Sequence, residues 1–315
     1  MTNRLDLKFG FDCNNRCVFC VQGDKRLHEG PKTTAELDAL LRERRAQCDG
    51  VVFTGGEVTL RKDLIPMVDL AHKLGYRSIQ IQTNGRMLSY QPYVDALMKA
   101  GATEFAPAIH GAKAETHDEL TGAKGAFVQT VKGIQNVRRR GGFVIMNSVI
   151  VQQNYQQLPD TARLFVQLGV QQFQFAFVHA LGSAEKNFPE VVPRYAELLP
   201  YLHEALRIGE AAGCRVMTEA VPFCLMNGLE RFVAERIMPH TQIVDGHREI
   251  ASYEDYRWEQ GKLRGPPCEA CTWNQHCEGP WREYPERFGW EEFTPRSDDP
   301  AVVLAAQPPQ RGTRP

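Results

Sequence analysis

No run of apolar residues in this 315-residue chain is long enough to span a bilayer. Its first residues, Met1-Thr2-Asn3-Arg4-Leu5-Asp6, hold no hydrophobic segment of the signal-peptide kind. An excess of one charge is lacking too, since 37 Lys and Arg face 38 Asp and Glu. That balance excludes a global field drawing in nucleic acid or an anionic membrane, so neither is expected as a partner. The local run Arg138-Arg139-Arg140 ends a helical stretch and reads as a solvated cap favoured by the helix dipole. No internal repeat stands out beyond an alternation of strand-like and helix-like segments. The chain therefore reads as a cytoplasmic globular protein. With 43% hydrophobic residues it can bury a large core, as two ordinary domains or one α/β barrel with an appendage.

The alternation runs from Leu5 to Phe177. Strands are predicted at Leu5–Phe11, Val51–Thr54, Ser78–Thr83, Glu104–His110, Phe143–Val151 and Gln172–Val178. Between them, Leu64, Met67, Val68 and Ala71 share one helical face, and Phe127, Val131, Ile134 and Val137 share another. Thr33-Thr34-Ala35-Glu36 supplies a capping-box start, and Gly75, Gly101, Gly141 and Gly169 follow helical runs as stops. Successive βα units imply parallel strands joined by right-handed crossovers. The predicted fold is α/β: a partial (βα)6 TIM-like barrel, its active site at the carboxyl ends of the strands. After Val178 the rhythm changes. A long helix is predicted over Pro193–Ala212, a short strand over Arg215–Ala220 and another helix over Leu229–Met238, before Pro-, Gly-, Trp- and Cys-rich turns.

Nine cysteines need an explanation other than disulfides in a reducing compartment. Cys13, Cys17 and Cys20 follow the first strand with C-x3-C-x2-C spacing, and Cys268, Cys271 and Cys277 crowd a second window. Such clustering points to metal ligands, because a metal needs several thiolates converging on it. Three thiolates on one loop suit a cubane iron–sulfur cluster with one iron open to chemistry. Zinc, with His28 as fourth ligand, is the alternative. Cys48 and Cys214 are left over and read as buried small hydrophobes.

The run Cys13-Asn14-Asn15-Arg16-Cys17-Val18-Phe19-Cys20 resembles the signature of the radical S-adenosylmethionine superfamily. The resemblance implies that Cys13, Cys17 and Cys20 hold a [4Fe-4S] cluster and that Phe19 sits beside the adenine of S-adenosylmethionine. One-electron reduction would then cleave the sulfonium and release a 5′-deoxyadenosyl radical that abstracts hydrogen from substrate. Three further marks fall on successive units. Thr54-Gly55-Gly56-Glu57 resembles the motif for the methionine amino group, with two glycines for close backbone approach and Glu57 as acceptor. Thr83-Asn84-Gly85 resembles the family's turn near the cofactor, and Asn147 lies where relatives place a ribose contact. One departure is Ala108, standing where relatives often carry Ser, so His110 is a candidate for part of that role. His110 and His179 are the candidate catalytic residues, as titratable groups near strand ends. His117-Asp118-Glu119-Leu120-Thr121-Gly122 resembles a family loop whose Asp orders backbone.

The C-terminal window, C-x2-C-x5-C-x3-W, resembles the auxiliary-cluster extensions of the twitch and SPASM types. Cys224 would be the fourth ligand of a second [4Fe-4S] cluster beside Cys268, Cys271 and Cys277, although four sulfurs equally make a closed zinc site. Tyr284, Phe288, Trp290 and Phe293 are expected to pack against the barrel. The expected organisation is a barrel core over 1–182, a cysteine-rich extension over 183–295 and a loose tail over 296–315. The resemblance implies an oxidoreductase or maturase acting on a peptide or a small molecule, with a reductant such as flavodoxin or ferredoxin. Because the chain opens on its first strand, a peptide substrate is expected to need a separate recognition protein. A two-cluster electron-transfer protein and a zinc-stabilised binding protein are the alternatives from other classes.

Overall fold

The computed structural model describes residues 3–307. Its strands are β1 (Arg4–Lys8), β2 (Gly50–Thr54), β3 (Ser78–Thr83), β4 (Glu104–Pro107), β5 (Phe143–Ile150), β6 (Gln172–Phe177), β7 (Arg215–Glu219), β8 (Thr241–Asp245) and β9 (Arg248–Ile250). They form one nine-stranded sheet in the order β7-β6-β5-β4-β3-β2-β1-β8-β9. Every pairing is parallel except β8 with β9. The sheet is a partial, unclosed barrel. Among the described residues, no helix is long and apolar enough to cross a membrane.

Register divides the sheet into two chemically different faces, because paired residues point the same way. Leu5 pairs Val51 and Val51 pairs Ile79, while Ile81 pairs Phe105 and Phe105 pairs Val144. These apolar positions are fully buried. The opposite face is polar. Asp6, Val52, Gln80 and Glu104 form one row, and Asn147, Gln174 and Met217 another. A sheet with helices outside and polar side chains within leaves its interior for chemistry.

The helices form where their local signals put them. Thr33 caps the helix Thr34–Arg44 with a full capping box, Glu36 N donating to Thr33 Oγ1 at 3.2 Å and Thr33 N to Glu36 Oε2 at 2.6 Å. The long helix spans Tyr195–Ala211 and packs on the helix Leu158–Gln167.

Four expectations change. Strand β1 stops at Lys8, and beyond it the ladder is left: Phe9 O accepts from Lys32 N at 3.0 Å and Gly10 O from Gly56 N at 2.8 Å. Strand β4 stops at Pro107, which has no amide hydrogen to continue the ladder. The helix expected over Leu229–Met238 is two short 3-10 turns, Glu230–Phe232 and Ala234–Arg236. There Phe232, Val233 and Ala234 are consecutive and all buried, which no single helical face can achieve. The extension also supplies β7, β8 and β9, so the sheet runs through the expected boundary at 182.

The tail is tied down as far as the described residues reach. Thr272 Oγ1 donates to Asp298 O at 2.7 Å, Trp273 Nε1 donates to Asp298 Oδ1 at 2.9 Å, and a helix spans Pro300–Ala306. The rest of the expected loose tail, 308–315, lies outside the described residues.

Phe173 tests the outer packing. It is fully buried, edge-on to Phe165 at 5.4 Å and to Phe175 at 5.6 Å. Phe173→Ala is expected to destabilise the fold by about 3–5 kcal/mol, seen as a lower urea midpoint. An unchanged midpoint would contradict this packing.

Candidate functional site

The first cysteine loop is clamped from both sides. Arg16 N donates to Thr121 O at 2.7 Å and Val18 N to Leu120 O at 3.1 Å, while Ser183 N donates to Cys20 O at 2.8 Å. Asn187 Nδ2 donates to Val18 O at 2.9 Å. The Thr121 and Leu120 carbonyls come from the loop flagged in the sequence, and Asp118 orders it by accepting from Gly125 N at 2.5 Å and Phe127 N at 2.8 Å. Cys13, Cys17 and Cys20 are partly exposed. Burial, then the neighbouring Cys20 and Cys13, holds the Cys17 thiol well above its ordinary range. Burial also raises Cys13.

Gly55 and Gly56 sit against backbone. A Cβ on Gly56 would lie 2.3 Å from the Asp12 and Phe11 carbonyl oxygens, and one on Gly55 2.3 Å from Gly10 O. Gly56 N donates to Gly10 O at 2.8 Å and Glu57 N to Asp12 O at 2.7 Å. The two glycines allow this close approach of the segment leading into Cys13. Glu57 is held by its neighbours. Its Oε1 accepts from Thr59 N at 3.0 Å, Thr59 Oγ1 at 2.5 Å and Thr83 Oγ1 at 2.6 Å, and Oε2 accepts from Asn84 N at 2.5 Å. Three of these donors crowd Oε1 and one meets Oε2, so Oε2 keeps a position for a further donor. Glu57 braces the β2 turn to the β3 turn, and burial raises its pKa despite those bonds. Asn84 continues the brace, donating from Nδ2 to Asn14 Oδ1 at 2.6 Å.

Asn147 lies on the polar face, bridged to Ala108. Its Oδ1 is buried with no hydrogen-bond donor. A buried acceptor without a partner is costly unless a ligand supplies the donor. Phe19 is buried edge-on to His110, ring centroids 4.7 Å apart.

The two histidines separate. His110 Nδ1 accepts from Val149 N at 3.1 Å, and its own amide donates to His117 Nδ1 at 3.1 Å. Burial lowers its pKa to about 3, so the ring is neutral and organises β5. His179 instead sits beyond β6, stacked on Trp281 at 3.8 Å and 3.5 Å from Glu283 Oε2.

Cys224, Cys268, Cys271 and Cys277 line one apolar pocket together with Phe223, Trp273 and Phe293. Burial pushes Cys224 up to about 12, with Cys277, Cys271 and Cys268 adding to it. Cys277 is pushed up to about 11 by burial. Among the described residues, no three Cys, His, Asp or Glu side chains are drawn tightly onto one ion. Tyr284 packs on Phe177 at 5.6 Å and Phe288 on Phe188 at 5.1 Å. Cys48 is buried and Cys214 half-buried, its thiol donating to Val170 O at 3.3 Å.

Sequence reasoning missed Arg86, which follows the β3 turn. It donates from Nη1 to Asn14 O at 2.6 Å and Asn15 Oδ1 at 3.0 Å, locking that turn to the cysteine loop. It also missed the buried ions Arg257, Lys262 and Glu278. Adjacency to the flagged motifs was the available signal for Arg86 and Glu278.

The family profile described as Radical SAM superfamily matches residues 7–165. An AdoMet-dependent heme synthase of Oleidesulfovibrio alaskensis is 27% identical over 196 residues, 61% of this chain and 50% of that protein. A Saccharolobus islandicus protein named "Probable GTP 3′,8-cyclase" is 30% identical over 184 residues, 56% of this chain and 58% of its own. The chain thus spans about half the length of the curated relatives it matches. Streptococcus suis SuiB bound to S-adenosylmethionine superposes with a TM-score of 0.67 at 14% identity, over 94% of this chain and 76% of SuiB. Native anSMEcpe with bound AdoMet gives 0.64 at 14% identity, over 96% and 95%. At such identities the likeness is one of fold.

The paired histidines set a pH dependence. Burial holds His110 at about 3 and His117 at about 4, so both are neutral when folded, whereas the unfolded rings take up protons below about 6.5. Stability is therefore complete above that value and lost as pH falls toward the folded values. Each ring is expected to cost about 2 kcal/mol at pH 5 relative to pH 7. In chemical denaturation, His117→Leu is expected to be less stable at pH 7 yet to lose less between pH 7 and pH 5. An equal loss in both proteins would contradict the assignment.

Proposed function

The chain belongs to the radical SAM superfamily, and on that premise we propose that it cleaves S-adenosylmethionine reductively and abstracts hydrogen from a peptide or small-molecule substrate. The observation that carries this reading is the braced trio of turns at the carboxyl ends of β1, β2 and β3. Cys13, Cys17 and Cys20 would hold a [4Fe-4S] cluster, leaving one coordination position without a protein donor. When bound, that cluster would supply the electron that splits the sulfonium into methionine and a 5′-deoxyadenosyl radical.

The chain's own residues hold and orient. Glu57 and Asn84 fix the β2 and β3 turns against the cysteine loop, so the floor of the site is set before any ligand arrives. Asn147 Oδ1 offers its unpaired lone pairs to a hydroxyl donor such as a ribose. Phe19 supplies an apolar wall beside His110.

Cys224, Cys268, Cys271 and Cys277 are proposed to hold an auxiliary [4Fe-4S] cluster. A structural zinc would also take four sulfurs, and it is the C-x2-C-x5-C-x3-W spacing, which resembles auxiliary-cluster extensions, that favours the iron–sulfur cluster. Its full set of thiolates suits an electron relay or a structural staple. The extension favours a role in peptide or cofactor maturation, served by an external one-electron donor such as flavodoxin or ferredoxin. The names of the relatives, a heme synthase and a GTP cyclase, support cofactor chemistry as much as the SuiA-bound SuiB supports a peptide.

The test is anaerobic reconstitution followed by dithionite and S-adenosylmethionine. About eight irons per chain, the content of two cubanes, and formation of 5′-deoxyadenosine are expected. Cys17→Ala is expected to abolish cleavage, and unchanged cleavage would overturn the first site. Cys271→Ala is expected to lower iron while the first cluster persists; unchanged iron content would overturn the second.

A further inference from the structure

Asn15 gives hydrogen bonds to two of the three sulfurs on the first cysteine loop. Its backbone amide donates to Cys13 Sγ at 3.3 Å, and its side chain donates to the sulfur of Cys17. Asn15 is buried, so both bonds act where the effective dielectric is low.

Arg86 holds both of these donors from behind. Its Nη1 donates to Asn15 Oδ1 at 3.0 Å and to Asn14 O at 2.6 Å. A guanidinium only donates, so the Asn15 side chain must turn its oxygen to Arg86 and its NH2 to Cys17. Asn14 O and Asn15 N belong to one peptide unit, so the same guanidinium also grips the peptide that donates to Cys13. A hydrogen bond accepted at an amide oxygen polarises the amide and strengthens its N–H as a donor. The positive charge of Arg86 is thereby passed through two amides to two sulfurs. Arg86 is itself anchored outside the loop. Its Nε donates to Gln129 Oε1 at 2.6 Å, on the helix Ala126–Arg139, and its amide donates to Asn84 Oδ1 at 3.0 Å. Arg16 is placed differently, since its side chain donates to Cys13 O and, at 2.7 Å, to Asn15 O. Neither of those carbonyls belongs to the peptide that donates to Cys13.

We propose that Arg86 is a positioning residue that raises the reduction potential of the cluster held by Cys13, Cys17 and Cys20, acting through the two Asn15 donors. The inference rests on the reading of those cysteines as ligands of a [4Fe-4S] cluster. One-electron reduction adds negative charge that the ligand sulfurs share. Donors aimed at those sulfurs therefore favour the reduced state and raise the potential. Without Arg86, the Asn15 side chain is free to turn its oxygen toward Cys17, and a lone pair facing the sulfur favours the oxidised state. Loss of Arg86 thus lowers the potential.

The test is a redox titration of the anaerobically reconstituted full-length protein, followed by electron paramagnetic resonance without S-adenosylmethionine. The signal of the first cluster is the one that Cys17→Ala lacks. Arg86→Leu and Asn15→Leu are each expected to shift the reduction equilibrium about tenfold toward the oxidised form, a midpoint about 59 mV lower for one electron. The double variant is expected to shift by less than the sum, because Arg86 acts through Asn15. An unchanged or raised midpoint in Arg86→Leu overturns the proposal, and full additivity overturns the route through Asn15. Asn15→Leu leaves the bonds from Arg86 to Gln129 and Asn14 in place, so it serves if Arg86→Leu does not load iron. An unchanged midpoint there is then the overturning result. Iron content and 5′-deoxyadenosine formation are measured on the same wild-type sample. If no signal separates wild type from Cys17→Ala, the cluster reading fails and this inference with it. A cluster that forms and cleaves S-adenosylmethionine, with a midpoint indifferent to both variants, sinks the tuning alone.

Discussion

Two backbone hydrogen bonds, from Gly56 N to Gly10 O and from Glu57 N to Asp12 O, join the turn after β2 to the approach to Cys13. They require a near contact between two chains of backbone that only residues without Cβ allow. Everything near the first cysteines follows from that contact. Glu57 is carried to where it can accept from both neighbouring turns, Asn84 reaches Asn14, and Arg86 closes the arrangement from above. The loop that offers thiolates is therefore ordered by its neighbours, and its preorganisation costs the metal little.

The outer face of the sheet was readable from the sequence because β1 to β6 carry apolar residues at alternating positions between helices with recognisable caps. The spacing of Cys13, Cys17 and Cys20 was equally plain, since local spacing reports local convergence. Cys224 was a harder inference, resting on its place after a short strand, and it lines the same pocket as Cys268, Cys271 and Cys277. What escaped were relationships across distance. Strand β8, Thr241–Asp245, pairs with the first strand of the chain, and no local signal in Thr-Gln-Ile-Val-Asp names its partner. The consecutive buried residues Phe232, Val233 and Ala234 imitate a helix in composition while serving a loop that is covered on all sides. Glu57 illustrates the same limit within a recognised motif, because the residue's position was legible and its hydrogen-bond partners were not.

The interior of the unclosed barrel is finished by the extension. Tyr253 is within electrostatic reach of Glu219 on β7 and Asp6 on β1, and its burial and those carboxylates raise its pKa. Arg257 and Lys262 follow it in sequence, with their charges matched to Glu278 and Glu235. Buried ion pairs of this kind contribute little net stability but penalise any rearrangement that separates them. Their arrangement favours one geometry of the mouth over others.

The extension clasps the sheet at both ends, adding β7 beside β6 and β8 beside β1. Cutting the chain at the change of rhythm near residue 182 would strip both strands and leave two unpaired parallel edges, each a template for intermolecular pairing. Pairing of both outer strands of the barrel core therefore depends on the same segment that carries the second cysteine set.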